Sequence, residues 1–209
     1  MSIKLVDHAM NRCDKGASGT AKAMVSFANG RSVKVILDIG ANVGIYSLRL
    51  AEAFPGSTIH AFEPMLDNFS VLCENARLNS APIITNKFGI FNKDCEMALG
   101  FPSGRDRSNT GLYSAKLPNA VGVCKFKRLG DYISGNGIVG VDIIKIDIEG
   151  CELEVLEDNI EILQSVMMIN IEVNSAFGQS EKIRSILKGS GMDFIQKTDK
   201  NTDLWGRHG

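Results

Sequence analysis

Predicted strands and helices alternate along most of this chain, and no other feature of the sequence restricts its fold so strongly. A β-branched run at 35–39 predicts a buried strand, and apolar residues at helical spacing follow it at 43–54. The same reasoning predicts strands at 57–62, 82–85, 142–148, 166–173, 192–197 and 202–207, and helices at 65–78, 151–162 and 179–188. This alternation predicts an α/β fold with a mostly parallel sheet and helices on both faces.

The length of 209 residues is that of one globular domain. We expect a single domain at 35–209, preceded by an N-terminal helical extension at 1–34. Residues 87–133 interrupt the alternation and are predicted to form an irregular insertion with mostly short strands.

Composition argues against several kinds of partner. The chain carries 23 basic and 24 acidic residues, which gives no electrostatic attraction for nucleic acid or anionic lipid. No stretch approaches the roughly 18 apolar residues of a membrane span. Five scattered cysteines without a CxxC pair predict reduced thiols rather than a zinc site, which favours the cytoplasm. We therefore expect no nucleic-acid partner and no membrane partner.

A glycine-rich turn follows the first predicted strand, at the sheet edge where ligands of parallel sheets bind. Gly40 and Gly44 permit a tight turn with close backbone approach to a ligand, and Asn42 tolerates a left-handed conformation. The GxGxxG fingerprint is absent because Asn42 and Ile45 replace its glycines, and no GK[ST] follows. The anionic Asp38 suits a ligand that carries an amine or sulfonium charge.

Glu63 ends the second predicted strand. An acidic residue at this place after the glycine turn matches the carboxylate that accepts both ribose hydroxyls of a nucleoside. The alternative is a solvated carboxylate that the dipole of the next helix favours.

Charged residues alternate at the end of the strand predicted at 142–148. Lys145 and Asp147 share one side of it, with Glu149 just beyond. Consecutive strands are usually neighbours, so Asp147 and Glu172 are expected to converge at the carboxyl edge. A buried carboxylate needs a partner, and Lys145 is the candidate. The alternative is an internal ion pair in which Asp147 or Glu149 also caps the next helix.

Four segments together resemble the FkbM-type S-adenosylmethionine-dependent methyltransferases: LDIGANVGIYS at 37–47, HAFEPMLDNFSVLCENARLN at 60–79, IIKIDIEGCELEVLEDN at 143–159 and INIE at 169–172. The KIDIEGxE block discriminates best among them. The resemblance implies a Rossmann-like class I methyltransferase fold, with seven strands in the order 3-2-1-4-5-7-6 and the last-inserted strand antiparallel.

The resemblance also implies S-adenosyl-L-methionine as the cofactor. Its methionine portion is expected at Asp38, Gly40, Asn42 and Gly44, and its ribose at Glu63; Gly89 is assigned to the same site. Family members methylate hydroxyls of sugars, polyketides and other natural products, which implies a small-molecule or glycan acceptor.

Methyl transfer from a sulfonium is an in-line displacement, so the protein mainly aligns the acceptor with the methyl group. An alcohol is a poor nucleophile at neutral pH and gains from a positioned base. We predict that Asp147 or Glu172 orients and deprotonates the acceptor hydroxyl and that Glu149 assists. Residues 1–34 and 87–133 are expected to define the acceptor.

Two alternatives bear on the same residues, and a third question concerns a loop between them. A divalent cation held by Asp147, Glu172 and Asn174 could lower the pKa of the acceptor, although the primary prediction includes no metal. A catalytically silent cofactor-binding module would keep the glycine turn and Glu63 without an organised acceptor pocket. A loop at 102–111 either closes over the acceptor or is solvated surface; its charged residues are Arg105, Asp106 and Arg107.

Two other enzyme classes are disfavoured. A nicotinamide dehydrogenase conflicts with the residues at the glycine turn, Asn42 and Ile45. An RNA methyltransferase conflicts with the even charge balance and with an aromatic content of 7%.

Overall fold

The computed structural model describes residues 3–6, 11–100, 120–173, 175 and 178–208. Within them the strands are β1 (Val35–Ile39), β2 (Thr58–Phe62), β3 (Ile83–Asn86), β4 (Gly89–Phe91), β5 (Cys95–Gly100), β6 (Ala120–Arg128), β7 (Ile143–Ile146), β8 (Met168–Glu172), β9 (Asp193–Asp199) and β10 (Thr202–Gly206). The helices are α1 (Asn11–Ala28), α2 (Ile45–Ala53), α3 (Leu66–Leu78), α4 (Leu129–Gly135), α5 (Glu152–Asp158), α6 (Ile160–Leu163) and α7 (Ser180–Gly189). The loop predicted at 102–111, which includes Arg105, Asp106 and Arg107, lies outside the described residues, and so does Asn174.

The main sheet has seven strands in the order β3-β2-β1-β7-β8-β10-β9. β1 pairs in parallel with β2 and β7, and the parallel pairing continues from β2 to β3 and from β7 to β8. β10 pairs antiparallel with β8 and β9. Counted within this sheet, the order is 3-2-1-4-5-7-6 with the last strand inserted antiparallel. The predicted fold class is therefore confirmed.

Helices cover both faces of the main sheet, which explains the continuous apolar runs in its central strands. On one face, α5 and α7 contribute Leu156 and Leu187 to the core. On the other face, α1 and α2 contribute Met24 and Leu50. None of these four side chains is more than 1% exposed, so each face has a closed apolar core.

Residues 87–133 are more regular than predicted. Their described part forms a second sheet in the order β4-β6-β5, with β6 parallel to β4 and antiparallel to β5. This part also contains α4, which sequence reasoning missed. Leu129 and Tyr132 have helical spacing and are buried, whereas the sequence prediction for this region was mostly short strands.

The helix predicted at 151–162 is two helices. The break lies at Asn159, whose φ and ψ of −128° and 26° leave the helical region. The Asn159 side chain donates a 2.7 Å hydrogen bond to the Val155 carbonyl, the kind of local bond by which asparagine competes with a continuing helix.

The N-terminal helix α1 packs against α2. Asp14 in its first turn accepts two hydrogen bonds from Arg49 of α2, at 2.6 and 2.7 Å. Beyond the C-terminal end of α1, Arg31 donates to the Arg207 carbonyl at 2.8 Å. Among the described residues, no helix has both the length and the apolar character needed to span a membrane.

Candidate active site

The glycine-rich turn after β1 has the left-handed backbone expected from its residues. The φ angles of Gly40, Asn42 and Gly44 are 80°, 52° and 86°. A Cβ atom on Gly40 would lie 1.9 Å from the Asp147 carbonyl oxygen, and one on Gly44 would lie 2.5 Å from the Leu72 side chain. Glycine is therefore required at both positions by backbone conformation and by close approach.

A buried ion pair lies beneath this turn. Asp38 and Lys145 are register partners on β1 and β7, and Lys145 Nζ lies 3.2 Å from Asp38 Oδ1. Asp38 Oδ2 accepts a 2.6 Å hydrogen bond from the Ser47 hydroxyl, and Lys145 Nζ donates to the Gly40 carbonyl at 2.8 Å. Burial alone would lower the pKa of Lys145, but the carboxylates of Asp38 and Asp147 outweigh it and the net pKa is raised.

Lys145 has a nearer partner than the one predicted. Asp147 Oδ2 lies 3.8 Å from Nζ, farther than the Asp38 oxygen. The reason is that β7 lies between β1 and β8, so the register places the β1 carboxylate opposite the ammonium group. Asp38 is fully buried and holds the base of the turn through these contacts. Its direct contact with a cofactor stays a prediction.

Glu63 connects the end of β2 to the glycine turn. Its carboxylate accepts hydrogen bonds from the backbone N–H of Asn42 at 3.0 Å and of Met65 at 2.9 Å. Burial raises the pKa of Glu63 to about 7. A carboxylate that ionises near neutral pH thus lies beside the turn, where the ribose-binding group was predicted.

The Asn42 side chain leaves a buried hydrogen-bond acceptor at this turn. Its Oδ1 atom is shielded from solvent and has no hydrogen-bond donor within the described part of the chain. A buried acceptor without a donor is costly. A ligand that brings an amine or hydroxyl donor to the turn would satisfy this atom.

Three carboxylates predicted to be catalytic meet at the carboxyl edge of the sheet. Asp147, Glu149 and Glu172 each place an oxygen within 4.8 Å of the other two, and we call them the acidic cluster. Asp147 and Glu172 converge as predicted because β7 and β8 are parallel neighbours. Glu149 joins them where the backbone turns after β7, with φ of 57°. All three side chains are partly buried.

The glycine turn and the acidic cluster adjoin each other. Lys145 Nζ contacts both, at 2.8 Å from the Gly40 carbonyl and 3.8 Å from Asp147 Oδ2. A ligand at the turn would therefore lie next to carboxylates able to accept a proton. The same oxygens are of the kind that a divalent cation accepts, but carboxylates also gather at sites without a metal.

Tyr46 adjoins the cluster and was missed by sequence reasoning. Lys145 Nζ lies 5.0 Å from the centroid of its ring. Burial raises the pKa of the Tyr46 hydroxyl, and the charge of Lys145 opposes that rise. The hydroxyl is therefore a hydrogen-bond donor at neutral pH. The sequence feature that could have identified Tyr46 is its position two residues after Gly44, in the first turn of α2.

Gly89 lies at the start of β4, in the second sheet. A Cβ atom there would lie 2.3 Å from the Phe126 ring of the paired strand β6. Packing alone explains glycine at this position, and its assignment to the cofactor site stays a prediction.

Comparison with known proteins agrees with this geometry. Residues 38–195 match the family described as "Methyltransferase FkbM domain". The 31-O-demethyl-FK506 methyltransferase FkbM of Streptomyces tacrolimicus is 26% identical over an alignment of 195 residues, in which 79% of this chain and 75% of that protein are covered. The hexuronic acid methyltransferase AglP of Haloferax volcanii is 25% identical, with 81% of this chain and 68% of that protein covered.

A solved structure has the same fold. The O-methyltransferase TomG of Streptomyces achromogenes superposes with a TM-score of 0.56 at 13% identity, covering all of this chain and 93% of TomG. At this identity the likeness shows the fold alone, which is that of class I methyltransferases.

Proposed function

The chain belongs to the FkbM methyltransferase domain family, and from that premise we propose that it transfers a methyl group from S-adenosyl-L-methionine to a hydroxyl of a small natural product or glycan. The observation that carries this proposal is that the glycine turn and the acidic cluster adjoin each other through Lys145. A cofactor held at the turn would therefore lie beside carboxylates that can accept a proton. TomG, which shares the fold, was solved in complex with S-adenosylmethionine.

The residues at the turn fit the cofactor. The unsatisfied Asn42 Oδ1 offers an acceptor to its amino group, and the glycines let the backbone approach it closely. Glu63, beside the same turn, offers a carboxylate to its ribose hydroxyls. When bound there, S-adenosylmethionine supplies an electrophilic methyl group on a positively charged sulfur.

The acidic cluster orients and deprotonates the acceptor hydroxyl. Asp147 is the most direct candidate for the base, because it is 40% exposed and follows the strand next to the glycine turn. It orients the acceptor hydroxyl and takes its proton as the oxygen becomes nucleophilic. Glu172 and Glu149 lie close enough to share this proton or to orient the same hydroxyl.

The acceptor class is proposed from the relatives and from charge. One relative is named for 31-O-demethyl-FK506 and another for hexuronic acid, both hydroxyl-bearing natural products or sugars. The net charge of −1 supports such an acceptor over nucleic acid. Scattered cysteines, of which Cys73, Cys95 and Cys124 are free thiols, support a cytoplasmic location.

Asp147→Asn tests the assigned chemistry. With an acceptor panel of uronic-acid glycans and macrolides, we expect kcat to fall by about 10²- to 10⁴-fold, while calorimetry shows nearly unchanged affinity for S-adenosylmethionine. Asp193→Asn, an exposed aspartate on β9, is the matched control. Full turnover by Asp147→Asn with unchanged cofactor affinity would show that Asp147 is not the base.

Two further readouts separate the alternatives. Turnover that survives EDTA excludes the metal-assisted form, and turnover that EDTA abolishes and Mg²⁺ restores supports it. Cofactor binding without methyl transfer to any member of a broad acceptor panel would favour the catalytically silent module.

A further inference from the structure

Glu152 is a buried acidic side chain that takes no part in the proposed chemistry. It is the first residue of α5 and only 3% exposed. Its Oε1 accepts a 3.0 Å hydrogen bond from the Ile148 N–H, and its Oε2 accepts a 2.9 Å bond from the Gly150 N–H. The carboxylate therefore ties together the backbone of the loop that leads from β7 to α5.

That loop carries two members of the acidic cluster. Asp147 and Glu149 are both on it, and the Glu152 bonds fall at the residues after each of them. Glu149 and Gly150 have φ of 57° and 102°, so the chain passes through two left-handed residues. A glutamate adopts this conformation only where its surroundings enforce it.

The cost of burying Glu152 indicates what it does. Burial raises the pKa of its carboxyl, and the nearby Asp147 charge adds to the rise. An exposed carboxylate could cap α5 without this cost. Compared with an exposed cap, the buried carboxylate gains the hydrogen bonds to the Ile148 and Gly150 amides. These bonds set the path of the loop.

We propose that Glu152 is a positioning residue that holds Asp147 and Glu149 in the acidic cluster for catalysis. The proposal rests on the proposed function, since it needs the cluster to act on an acceptor. It also explains the second glutamate of the KIDIEGCE segment, whose first glutamate is Glu149.

Glu152→Gln tests the proposal, and Glu157→Gln is the matched control because Glu157 lies on the same helix, 44% exposed and paired with Lys182. We expect kcat of Glu152→Gln to fall about tenfold or more, with affinity for S-adenosylmethionine within about twofold of wild type by calorimetry. The control should keep its kcat. A purely structural role would instead weaken cofactor affinity and kcat together in proportion to folded protein. A folded Glu152→Gln protein with wild-type kcat overturns the proposal.

Amide hydrogen exchange provides a readout that does not depend on activity. In the wild-type protein the Ile148 and Gly150 amides should be protected, and in Glu152→Gln they should exchange faster. Unprotected amides in the wild type overturn the proposal even if Glu152→Gln does not fold. If Glu152→Gln does not fold, Glu152→Asp takes its place, because it keeps the negative charge on a shorter side chain. It should show the same selective loss of kcat.

The two proposals fail in different ways. A wild-type protein that neither binds S-adenosylmethionine nor methylates any acceptor contradicts the proposed function. A wild-type protein that does both, alongside an equally active Glu152→Gln, contradicts only the role of Glu152.

Discussion

One ammonium group, that of Lys145, stabilises the most deeply buried charge of the candidate site. The Asp38 carboxylate has no exposed surface, and Lys145 and Ser47 are its partners. Removing one member of such a pair leaves the other charge buried without compensation. Lys145 also contacts the Gly40 carbonyl, so the same group supports the shape of the glycine turn.

Lys145→Met should therefore destabilise the protein by about 3–5 kcal/mol in urea unfolding. Lys182→Met is the control, because Lys182 pairs with Glu157 at the surface and is 62% exposed. Its loss should change stability by less than about 1 kcal/mol. Equal losses of unfolding free energy in the two variants would show that the buried ion pair stabilises the protein no more than the surface pair does.

The pKa of Glu63, raised by burial to about 7, predicts a pH-dependent cofactor affinity. In the proposed complex the ribose hydroxyls donate to the ionised carboxylate. Below pH 7 the buried Glu63 carboxyl holds a proton, which it must lose before it can accept these hydrogen bonds. Affinity for S-adenosylmethionine should then fall about tenfold from pH 8 to pH 6.

The control for this pH dependence is Glu63→Gln, measured by calorimetry over the same range. The amino group of the ligand titrates identically with both proteins, so the difference between their profiles isolates Glu63. Parallel profiles for wild type and Glu63→Gln would mean that this carboxylate does not hold the ribose.

At the scale of the elements, the sequence predicted those strands and helices whose formation depends mainly on residues close together in the chain. The central strands β1, β7 and β8 were predictable because both their faces are buried and they are rich in β-branched residues. Helix α4 was not predictable, because Gly130 weakens it and contacts made elsewhere in the fold stabilise it. Its Tyr132 hydroxyl lies 2.7 Å from His60 Nδ1, and its ring lies 4.8 Å from that of Phe62.

The partners of charged residues were only partly predictable for the same reason. Alternation along β7 placed Lys145 and Asp147 on one side, which the structure confirms. The nearer partner, Asp38, belongs to β1, and only the register between strands brings it opposite Lys145. Glu152 acts on backbone groups, which no side-chain pattern reveals.

The helix α1 provides a prediction at this scale. Met24 is fully buried between α1 and the sheet, whereas its neighbour Val25 is 43% exposed. Met24→Ala should cost about 2–5 kcal/mol of unfolding free energy because it leaves a cavity. Val25→Ala should change it by less than about 0.5 kcal/mol. Similar small losses for both would show that α1 does not seal this core.

At the scale of the whole molecule, both parts of the candidate site depend on the central strands β1 and β7. β1 leads into the glycine turn, and β7 leads into the acidic cluster. Their pairing brings Gly40 against the Asp147 carbonyl, so the packing of the sheet itself joins the glycine turn to the acidic cluster. The expectation that consecutive strands are neighbours was enough to predict that Asp147 and Glu172 converge, but not that Gly40 packs against the Asp147 carbonyl.

Calorimetric titration with S-adenosylmethionine, and in parallel with NADH, tests the central claim most directly. The variants are Gly40→Ala, whose Cβ would meet the Asp147 carbonyl, and Gly56→Ala, whose φ of 88° is similar but whose surroundings are open. We predict one S-adenosylmethionine per chain for wild type and Gly56→Ala, binding weakened about tenfold or more in Gly40→Ala, and no binding of NADH. Absence of S-adenosylmethionine binding to the wild type, or equal affinity in both variants, would contradict the account.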